Sequence, residues 1–355
     1  MNFYVVKIGG STWGEPRNGD APESVNLISA KLRDMAATGT VIPVVSAFKG
    51  VTDSLLRKIA SIKKNDHLSR AEKSAYAAYA SGGETEAATL LALALNARSF
   101  QGWQVPFITH GDPDRAEIDL AASGAKLIKH MRAGNRMAVV AGFQGLDKDE
   151  NIPTAFARGG TDYSAIAAAI ILQNSFAEAG DQVTCQIVRN EGGVRTADPK
   201  LVDNTAIHSR LSYDELYAVS VAGGGQQLIQ TDAMKLARQY GVSLSIGPLG
   251  DASKLTSVGK ERGTHNDIIG IACNNVGTAR DFVEISVVGW GMTSATEQKA
   301  YELLLDAKVP VATRAKMVIN DIHPELKGFK FGVRNDATLI KNGVNALHKG
   351  LALAA

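Results

Sequence analysis

The sequence contains little cysteine. Cys185 and Cys273 are the two cysteines among 355 residues, and they lie far apart without the spacing of metal ligands. We therefore expect two buried thiols in a reducing compartment and no disulfide. The histidines also show no paired ligand spacing, so the sequence predicts no metal site built from protein side chains alone.

Long hydrophobic runs and an excess of one charge are absent too. The apolar run at the N-terminus is soon interrupted by Lys7 and glycines, and no stretch reaches the roughly 18 apolar residues that a spanning helix needs. Lys and Arg number 38 against 36 Asp and Glu, which leaves a formal charge of +2. This balance gives no reason to expect a nucleic-acid or membrane partner, and we expect a cytoplasmic protein.

Strand and helix patterns alternate along most of the chain. The length favours two domains. Residues 24–39 have helical spacing, the long polar region 52–80 is predicted helical, and strand patterns occur at 40–48, 104–111, 136–145, 183–190 and 242–248. The alternation predicts an α/β domain around a mainly parallel sheet, with a binding crevice beyond the carboxyl ends of the strands.

The pattern changes near residue 266. From residue 281 onward the sequence predicts a strand, a helix over 294–311, strands at 317–323 and 328–335, and a final helix. This order matches a small α+β unit. We therefore predict two domains, 1–265 and 266–355.

Three glycine pairs stand next to predicted strands or helices. Lys7, Gly9 and Gly10 follow the first strand, where bare backbone N–H groups and a lysine can hold phosphate oxygens. The spacing is not that of a Walker P-loop. A glycine turn beside a solvated lysine is the alternative interpretation of this pair taken alone.

The other two pairs precede helices. In "ARGGTDYSA", Thr161 and Asp162 occupy helix-start positions, where an acid commonly only caps the helix. Arg158 beside them is suited to hold a carboxylate. In "SGGE", Glu84 is either a first-turn acid or the acceptor of a substrate ammonium.

Taken together, these motifs resemble those of the aspartate kinases, within the amino acid kinase family. The motifs that carry the resemblance occur in order along essentially the whole chain: "VVKIGG", "VVSAFKGVTDSLL", "SGGE", "GFQG", "ARGGTDYSA", "GGVRTADPKLV", "LSYDEL" and "RGT". The closing segment with "EISVVGWGM" resembles an ACT regulatory domain. The resemblance implies an amino acid kinase-like sandwich followed by a ferredoxin-like ACT domain.

The resemblance also implies an activity and roles for residues. Aspartate kinases transfer the γ-phosphoryl group of Mg-ATP to the side-chain carboxylate of L-aspartate, so ATP and Mg are implied. Lys7 would stabilise the transferring phosphoryl group, Gly9 and Gly10 would line its path, and Asp162 would orient Lys7. The implied substrate-binding residues are Ser46, Thr52, Glu84, Arg158, Gly159 and Thr161.

The nucleotide half departs from the family pattern. Where the family has "TDVDGVYTADPR", this chain has "RNEGGVRTADPK", which places Arg189, Asn190 and Arg195 at changed positions and keeps Asp198 and Lys200. Gln227 stands where a nucleotide-contacting lysine is expected. These six residues and Lys7 form the predicted nucleotide site. Two interpretations are open: the nucleotide binds in a different position, or ATP binding is lost.

The regulatory end departs as well. Typical aspartate kinases carry two ACT units, whereas residues 266–355 leave room for one. The resemblance implies a homodimer paired through this unit and an amino-acid effector bound there. A dimerisation module without an effector is the alternative.

Three functional hypotheses follow. The first is an active aspartate kinase. The second is a related kinase with a different acceptor or donor. The third is a catalytically silent amino-acid-binding relative.

Overall fold

The computed structural model describes residues 1–16, 20–63, 67–157, 159–176, 180–223, 228–263, 267–274, 280–317 and 322–353. The chain divides into two compact units. The first comprises Met1–Glu191 and Asp232–Ala252, and the second Gly192–Thr231 and Ser253–Ala355. The predicted boundary between residues 265 and 266 falls within the second unit and stays a prediction.

The described residues of both units form the following helices and strands, which alternate through the first unit. The helices are α1 (Gly10–Trp13), α2 (Ser24–Ala36), α3 (Val51–Ile62), α4 (Arg70–Ala80), α5 (Gly82–Leu95), α6 (Ala125–Arg132), α7 (Gly160–Phe176), α8 (Tyr213–Ala222), α9 (Thr231–Tyr240), α10 (Ser294–Asp306) and α11 (Ala337–Gly350). The strands are β1 (Asn2–Ile8), β2 (Thr40–Val45), β3 (Arg98–Phe100), β4 (Ile108–His110), β5 (Glu117–Ile118), β6 (Ala138–Ala141), β7 (Gln144–Asp147), β8 (Pro153–Ala155), β9 (Gln182–Val188), β10 (Arg210–Ser212), β11 (Ser243–Gly247), β12 (Thr256–Gly259), β13 (Ile268–Asn274), β14 (Phe282–Trp290), β15 (Val311–Met317) and β16 (Leu326–Arg334).

The first unit is built on a parallel sheet with the strand order β11-β9-β1-β2-β6-β3. Val6 and Ile8 of β1 pack in one apolar cluster with Leu32 of α2 and Leu91 of α5. Helix α7 packs against β1, β2 and β9. Because side chains alternate along a strand, α7 covers the face opposite to that of α2 and α5. The predicted sandwich around a mainly parallel sheet is confirmed.

A second, small sheet of the first unit has the order β5-β4-β7-β8. The sequence pattern at 136–145 predicted one strand, but the structure divides it between β6 of the large sheet and β7 of the small one. Phe143 separates them with a positive φ of 67°. This left-handed residue redirects the chain from one sheet to the other.

The polar region 52–80, predicted helical, contains two helices. Ser69 caps the start of α4, since its hydroxyl accepts the backbone N–H of Glu72 and the Glu72 carboxylate accepts that of Ser69. This capping box fixes a new helix start inside the polar region. The α4 helix then presents Ser74, Ala77 and Ala80 as its buried residues.

The second unit contains a four-stranded antiparallel sheet of order β13-β14-β16-β15. Helices α10 and α11 share an apolar cluster with Val283, Ile285 and Val287 of β14. Helix α8 packs against β13, β14 and β16. The predicted small α+β unit is confirmed, and β13 is a strand that the sequence reading missed.

Two predicted elements of the second unit are shifted. The helix predicted over 294–311 ends at Asp306, because Pro310 and the left-handed Lys308 (φ 58°) end the helical pattern. The strand predicted at 317–323 instead runs from Val311 to Met317. Residues 318–321 lie outside the described part of the chain.

The two cysteines are free, as predicted. Cys185 is buried, and Cys273 is partly exposed as a residue although burial raises the pKa of its thiol. Among the described helices, none is both long enough and apolar enough to cross a membrane.

Glu215, at the start of α8, is a fully buried carboxylate of the second unit. It accepts hydrogen bonds from the backbone N–H of Ser212 (2.6 Å), the backbone N–H of Gly263 (3.1 Å) and the indole N–H of Trp290 (2.6 Å). The guanidinium of Arg262 lies 3.8 Å away. One side chain therefore connects the start of α8 to the end of β14 and to the loop after β12.

We predict that Glu215→Ala lowers the free energy of unfolding by about 3 kcal/mol, because it leaves several buried donors without an acceptor. Glu261→Ala is the matched control, since Glu261 is exposed and pairs with Arg210 at the surface. Its expected cost is at most about 1 kcal/mol. Urea denaturation followed by circular dichroism measures both, and equal midpoints for the two variants would contradict the role given to Glu215.

Candidate active site

Lys7 and Asp162 form an ion pair at the end of the large sheet. Lys7 follows Phe3 and Val5 on one face of β1, and the ring of Phe3 packs against Phe176 of α7 at 4.7 Å between centroids. Asp162 lies in the first turn of that helix. Lys7 Nζ lies 2.9 Å from Asp162 Oδ1, and the two side chains are 17% and 11% exposed. The alternation of β1 therefore places a largely desolvated ammonium group at the start of α7.

Glycines leave the space that this ammonium group occupies. A Cβ atom at Gly9 would lie 2.9 Å from Lys7 Nζ, and one at Gly10 would lie 3.1 Å from the backbone oxygen of Ala47. Any larger residue at Gly9 would press on the lysine tip. The loop after β1 thus has the bare backbone that the sequence predicted.

The double glycine at 159–160 brings the start of α7 close to its neighbours. Gly159 has a φ of 83°, and a Cβ atom at Gly160 would lie 2.6 Å from the Cβ of Phe156. The hydroxyl of Ser46, just after β2, donates to the hydroxyl of Thr161 at 2.9 Å. Strand β2 and helix α7 therefore meet through polar side chains.

Glu84, at the start of α5, is the buried carboxyl group of the same region. It is 4% exposed, and its Oε2 atom has no hydrogen-bond partner among the described residues. Burial raises the pKa of Glu84 to about 7, against the opposing effect of backbone N–H groups of Ala47 and of Glu84 itself. An ammonium ion placed here would supply the missing donor and favour the charged carboxylate.

A cleft of about 990 Å³ connects these groups. Of the residues predicted for the catalytic and substrate sites, the following line it: Lys7, Gly10, Ser46, Thr52, Glu84, Gly159 and Thr161. Asp162 joins them through its ion pair with Lys7. Arg158 lies outside the described residues, so its assignment stays a prediction.

The cleft also has walls that the sequence reading missed. They include Lys49, Phe143 and Phe156, together with Lys73 and Tyr76 of α4 and the loop residues Asp114 and Arg115. Lys73, Tyr76 and Ala80 recur at helical spacing along α4. That periodicity marks one face of a helix, but nothing in the sequence tells which cavity the face lines.

The residues predicted for the nucleotide are distributed over both units. In the first unit, the guanidinium of Arg189 lies 3.7 Å from the carboxylate of Glu191, and the side chain of Asn190 donates to the backbone oxygen of Ser11 at 3.4 Å. In the second, Arg195 donates to the backbone oxygen of Thr205 at 2.9 Å.

Asp198, also in the second unit, accepts the backbone N–H of Lys200 at 2.9 Å. Gln227 lies outside the described residues. The nucleotide-binding roles of all these residues stay predictions.

The geometry best suits a ligand that carries both an anionic group and a cationic group. A desolvated ammonium at Lys7 can stabilise an anionic group, and the buried carboxyl of Glu84 can receive a cation. Hydroxyl groups of Ser46, Thr52 and Thr161 add donors and acceptors. Among the described residues, no group of three or more His, Cys, Asp or Glu side chains could hold a metal ion.

Comparison with known proteins gives consistent matches. The sequence model of the amino acid kinase family matches residues 2–247. The aspartokinase of Rickettsia conorii is 28% identical over 263 residues, which are 72% of this chain and 60% of that protein. The aspartate kinase of Pseudomonas fluorescens is 28% identical over 350 residues, which are 95% of this chain and 76% of that protein. The chain thus spans about three fifths of the length of the Rickettsia relative.

A solved structure agrees in fold. The E. coli aspartokinase III in complex with aspartate and ADP superposes with a TM-score of 0.69 at 14% identity, covering 99% of this chain and 100% of that one. At this level of identity the likeness concerns the fold alone.

We predict that Glu84 makes stability depend on pH. Its pKa is raised on folding, so the free energy of unfolding falls as pH rises from about 4.5 and levels off above about 7. Glu84→Gln removes this titration. Between pH 4.5 and pH 8, the free energy of unfolding of the variant should therefore rise by about 3 kcal/mol relative to that of the wild type.

Urea denaturation of both proteins at the two pH values measures this difference. Glu86→Gln is the matched control, because Glu86 lies exposed on the same helix. It should keep the pH dependence of the wild type. A difference between Glu84→Gln and wild type that stays constant with pH would contradict the burial effect.

Proposed function

The chain belongs to the amino acid kinase family, and from this membership we propose that it transfers the γ-phosphoryl group of ATP to the side-chain carboxylate of L-aspartate. The products would be 4-phospho-L-aspartate and ADP. The single observation that carries the proposal is the desolvated Lys7–Asp162 ion pair in the cleft that also contains buried Glu84. The aspartokinases among its relatives support the choice of acceptor.

The acceptor end is the part of the cleft around Glu84. The carboxylate of Glu84 would receive the ammonium group of aspartate, which supplies the donor that Oε2 lacks. Hydroxyl groups of Ser46, Thr52 and Thr161 and the backbone at Gly159 would position the carbon chain. Arg158 would hold a carboxylate group.

The transfer end is the Lys7–Asp162 pair. An oxygen of the aspartate side chain forms a bond to the γ-phosphorus, and the bond from that phosphorus to the departing ADP oxygen breaks. The ammonium of Lys7 would neutralise charge on the transferring group, and Asp162 would hold Lys7 in place. No strong base is required, because a carboxylate with a reference pKa near 3.9 is already ionised at neutral pH.

The magnesium ion that accompanies ATP fits this arrangement. Mg²⁺ in such sites is held largely by substrate phosphates together with one or two carboxylates. Asp162 is the carboxylate of the transfer end that could contribute. The ion would offset phosphate charge, while Gly9 and Gly10 would let the phosphates approach the backbone.

The nucleotide side supports a second candidate, a related kinase that uses a different phosphoryl donor. Arg189, Asn190, Arg195 and Gln227 replace the residues of the family pattern. Arg195 is bonded to the backbone and hydroxyl oxygens of Thr205, at 2.9 and 3.1 Å. Its guanidinium therefore already has local partners.

The remaining parts of the proposal concern organisation. We infer a catalytic domain over 1–265, a single ACT-like domain over 266–355, a homodimer and a cytoplasmic location. An amino-acid effector at the ACT-like domain belongs to the same inference.

We predict that the intact chain, given Mg-ATP, L-aspartate and hydroxylamine, forms aspartate hydroxamate together with ADP. The acyl phosphate formed by transfer reacts with hydroxylamine, which makes the product measurable by colour. GTP in place of ATP tests the second candidate. No hydroxamate with either nucleotide, from folded protein that still binds aspartate, would refute phosphoryl transfer from ATP or GTP to aspartate, and would leave the silent relative or a kinase with another acceptor or donor.

We predict that Lys7→Ala lowers hydroxamate formation by roughly 100- to 1,000-fold, because it removes charge stabilisation at the transferring group. Calorimetry should show aspartate binding within a few-fold of wild type. Lys126→Ala is the control, since Lys126 is exposed on α6 outside the cleft. Activity of Lys7→Ala equal to that of the control would remove Lys7 from the mechanism.

A further inference from the structure

One wall of the cleft has no part in the proposed reaction. Helix α4 lines the cleft with Lys73, Tyr76 and Ala80, and Glu84 follows closely after the end of this helix. At 1.5 Å per residue, Lys73 lies about 10 Å from Ala80 along the helix axis. The carbon chain of aspartate spans roughly 4 Å. An acceptor held at Glu84 therefore leaves the Lys73 end of α4 uncovered.

Asp114 places an unsatisfied carboxylate atom on this wall. Its Oδ1 atom is buried and has no hydrogen-bond partner among the described residues. Lys73 Nζ forms an ion pair with this atom at 3.7 Å, beyond hydrogen-bond distance, and donates its hydrogen bond to Asp112. Burial and then the charge of Asp114 raise the pKa of Tyr76, so the phenol lies within the field of this carboxylate. The wall therefore offers a buried acceptor atom that is ion-paired but has no hydrogen bond among the described residues.

Arg115 places a positive charge beside that acceptor. It is exposed and lines the same cleft, and no ion pair or hydrogen bond engages its guanidinium within the described ranges. A buried carboxylate oxygen without a hydrogen bond and an arginine without an acceptor, adjacent in one wall, match the two charges of an α-amino acid head group. A ligand without the carboxylate would leave Arg115 unpaired, and a ligand without the ammonium group would leave Asp114 Oδ1 without a hydrogen bond.

Apolar side chains complete the wall. Leu56 of α3 and Leu68 face the cleft. Helix α3 carries an apolar stripe, including Val51, Leu55 and Ile59, yet none of its residues is buried. Leu56 is only partly buried, so an aliphatic ligand group beside it would cover apolar surface that is otherwise exposed.

We propose that this wall, formed by Leu56, Leu68, Tyr76, Asp114 and Arg115, binds a second free α-amino acid with an aliphatic side chain, beside the acceptor. The ammonium group lies on Asp114, the carboxylate on Arg115 and the side chain against the two leucines. A single longer acceptor does not account for the wall, because its one ammonium group is required at Glu84. The inference rests on the proposed function only in assigning the Glu84 end to the acceptor.

Titration calorimetry on the intact chain tests this site without turnover. The protein is first saturated with L-aspartate, and L-alanine, L-valine and L-leucine are then titrated in the absence of nucleotide. We expect at least one of them to bind at one molecule per chain without displacing aspartate. N-acetyl-L-leucine and isoamylamine, which lack one charge each, should bind at least about tenfold more weakly.

Substitutions locate the site. Asp114→Asn and Arg115→Gln should each weaken binding of the amino acid by about tenfold or more. Glu117→Gln is the matched control, because Glu117 is exposed, pairs with His110 and does not line the cleft, and it should change binding less than about twofold. Arg115 is exposed, so Arg115→Gln decides the question if Asp114→Asn fails to fold.

The outcomes separate this inference from the proposed function. No binding by any of the three amino acids, competition with aspartate, or equal binding by Arg115→Gln and wild type would overturn it. A chain that binds the second amino acid but forms no hydroxamate keeps the site and loses the kinase assignment. A chain that forms hydroxamate but binds no second amino acid loses the second site and keeps the kinase assignment.

Discussion

The ion pair between Lys7 and Asp162 is the constraint on which the site depends. It exists because β1 directs Lys7 to the face that α7 covers, and because α7 begins beside the end of that strand. Two glycine pairs make the approach feasible, since a Cβ atom at Gly9 or Gly160 would meet its neighbours within 3 Å. The same residues that form the sheet and its covering helix thus set the position of one ammonium group.

The rest of the cleft is organised by burial of charge. Glu84 is a carboxyl group without a full set of donors, and Asp114 has a buried oxygen in the same condition. In a protein interior such atoms destabilise the fold unless a ligand satisfies them. A chain that retains both atoms in one cleft gives up stability that ligand binding can restore. Lys7, by contrast, has its counter-ion supplied by the protein itself.

Elements with local signals could be predicted from the sequence, and this holds for both the fold and the site. Strand β1 is predicted by its apolar run, the start of helix α7 by Thr161 and Asp162, and the loops by glycines with special backbone freedom. The start of α4 had a local signal too, the Ser69–Glu72 capping box, which the sequence reading overlooked. The division at Phe143 had none, because a positive φ at phenylalanine is set by tertiary packing. For the same reason, the sequence did not connect Asp114 and Arg115 with the cleft. Only the fold brings these two residues to the wall that α4 forms.

Helix α3 carries a consequence for motion. Its start at Gly50 has a left-handed φ of 80°, and its residues have no fully buried side chain to hold them in place. Local opening of such a helix costs less free energy than opening of α7, whose residues are buried for most of its length. In hydrogen–deuterium exchange, the amides of α3 would therefore lose protection well before those of α7. Small molecules could enter and leave the cleft through that fluctuation while the parallel sheet stays intact.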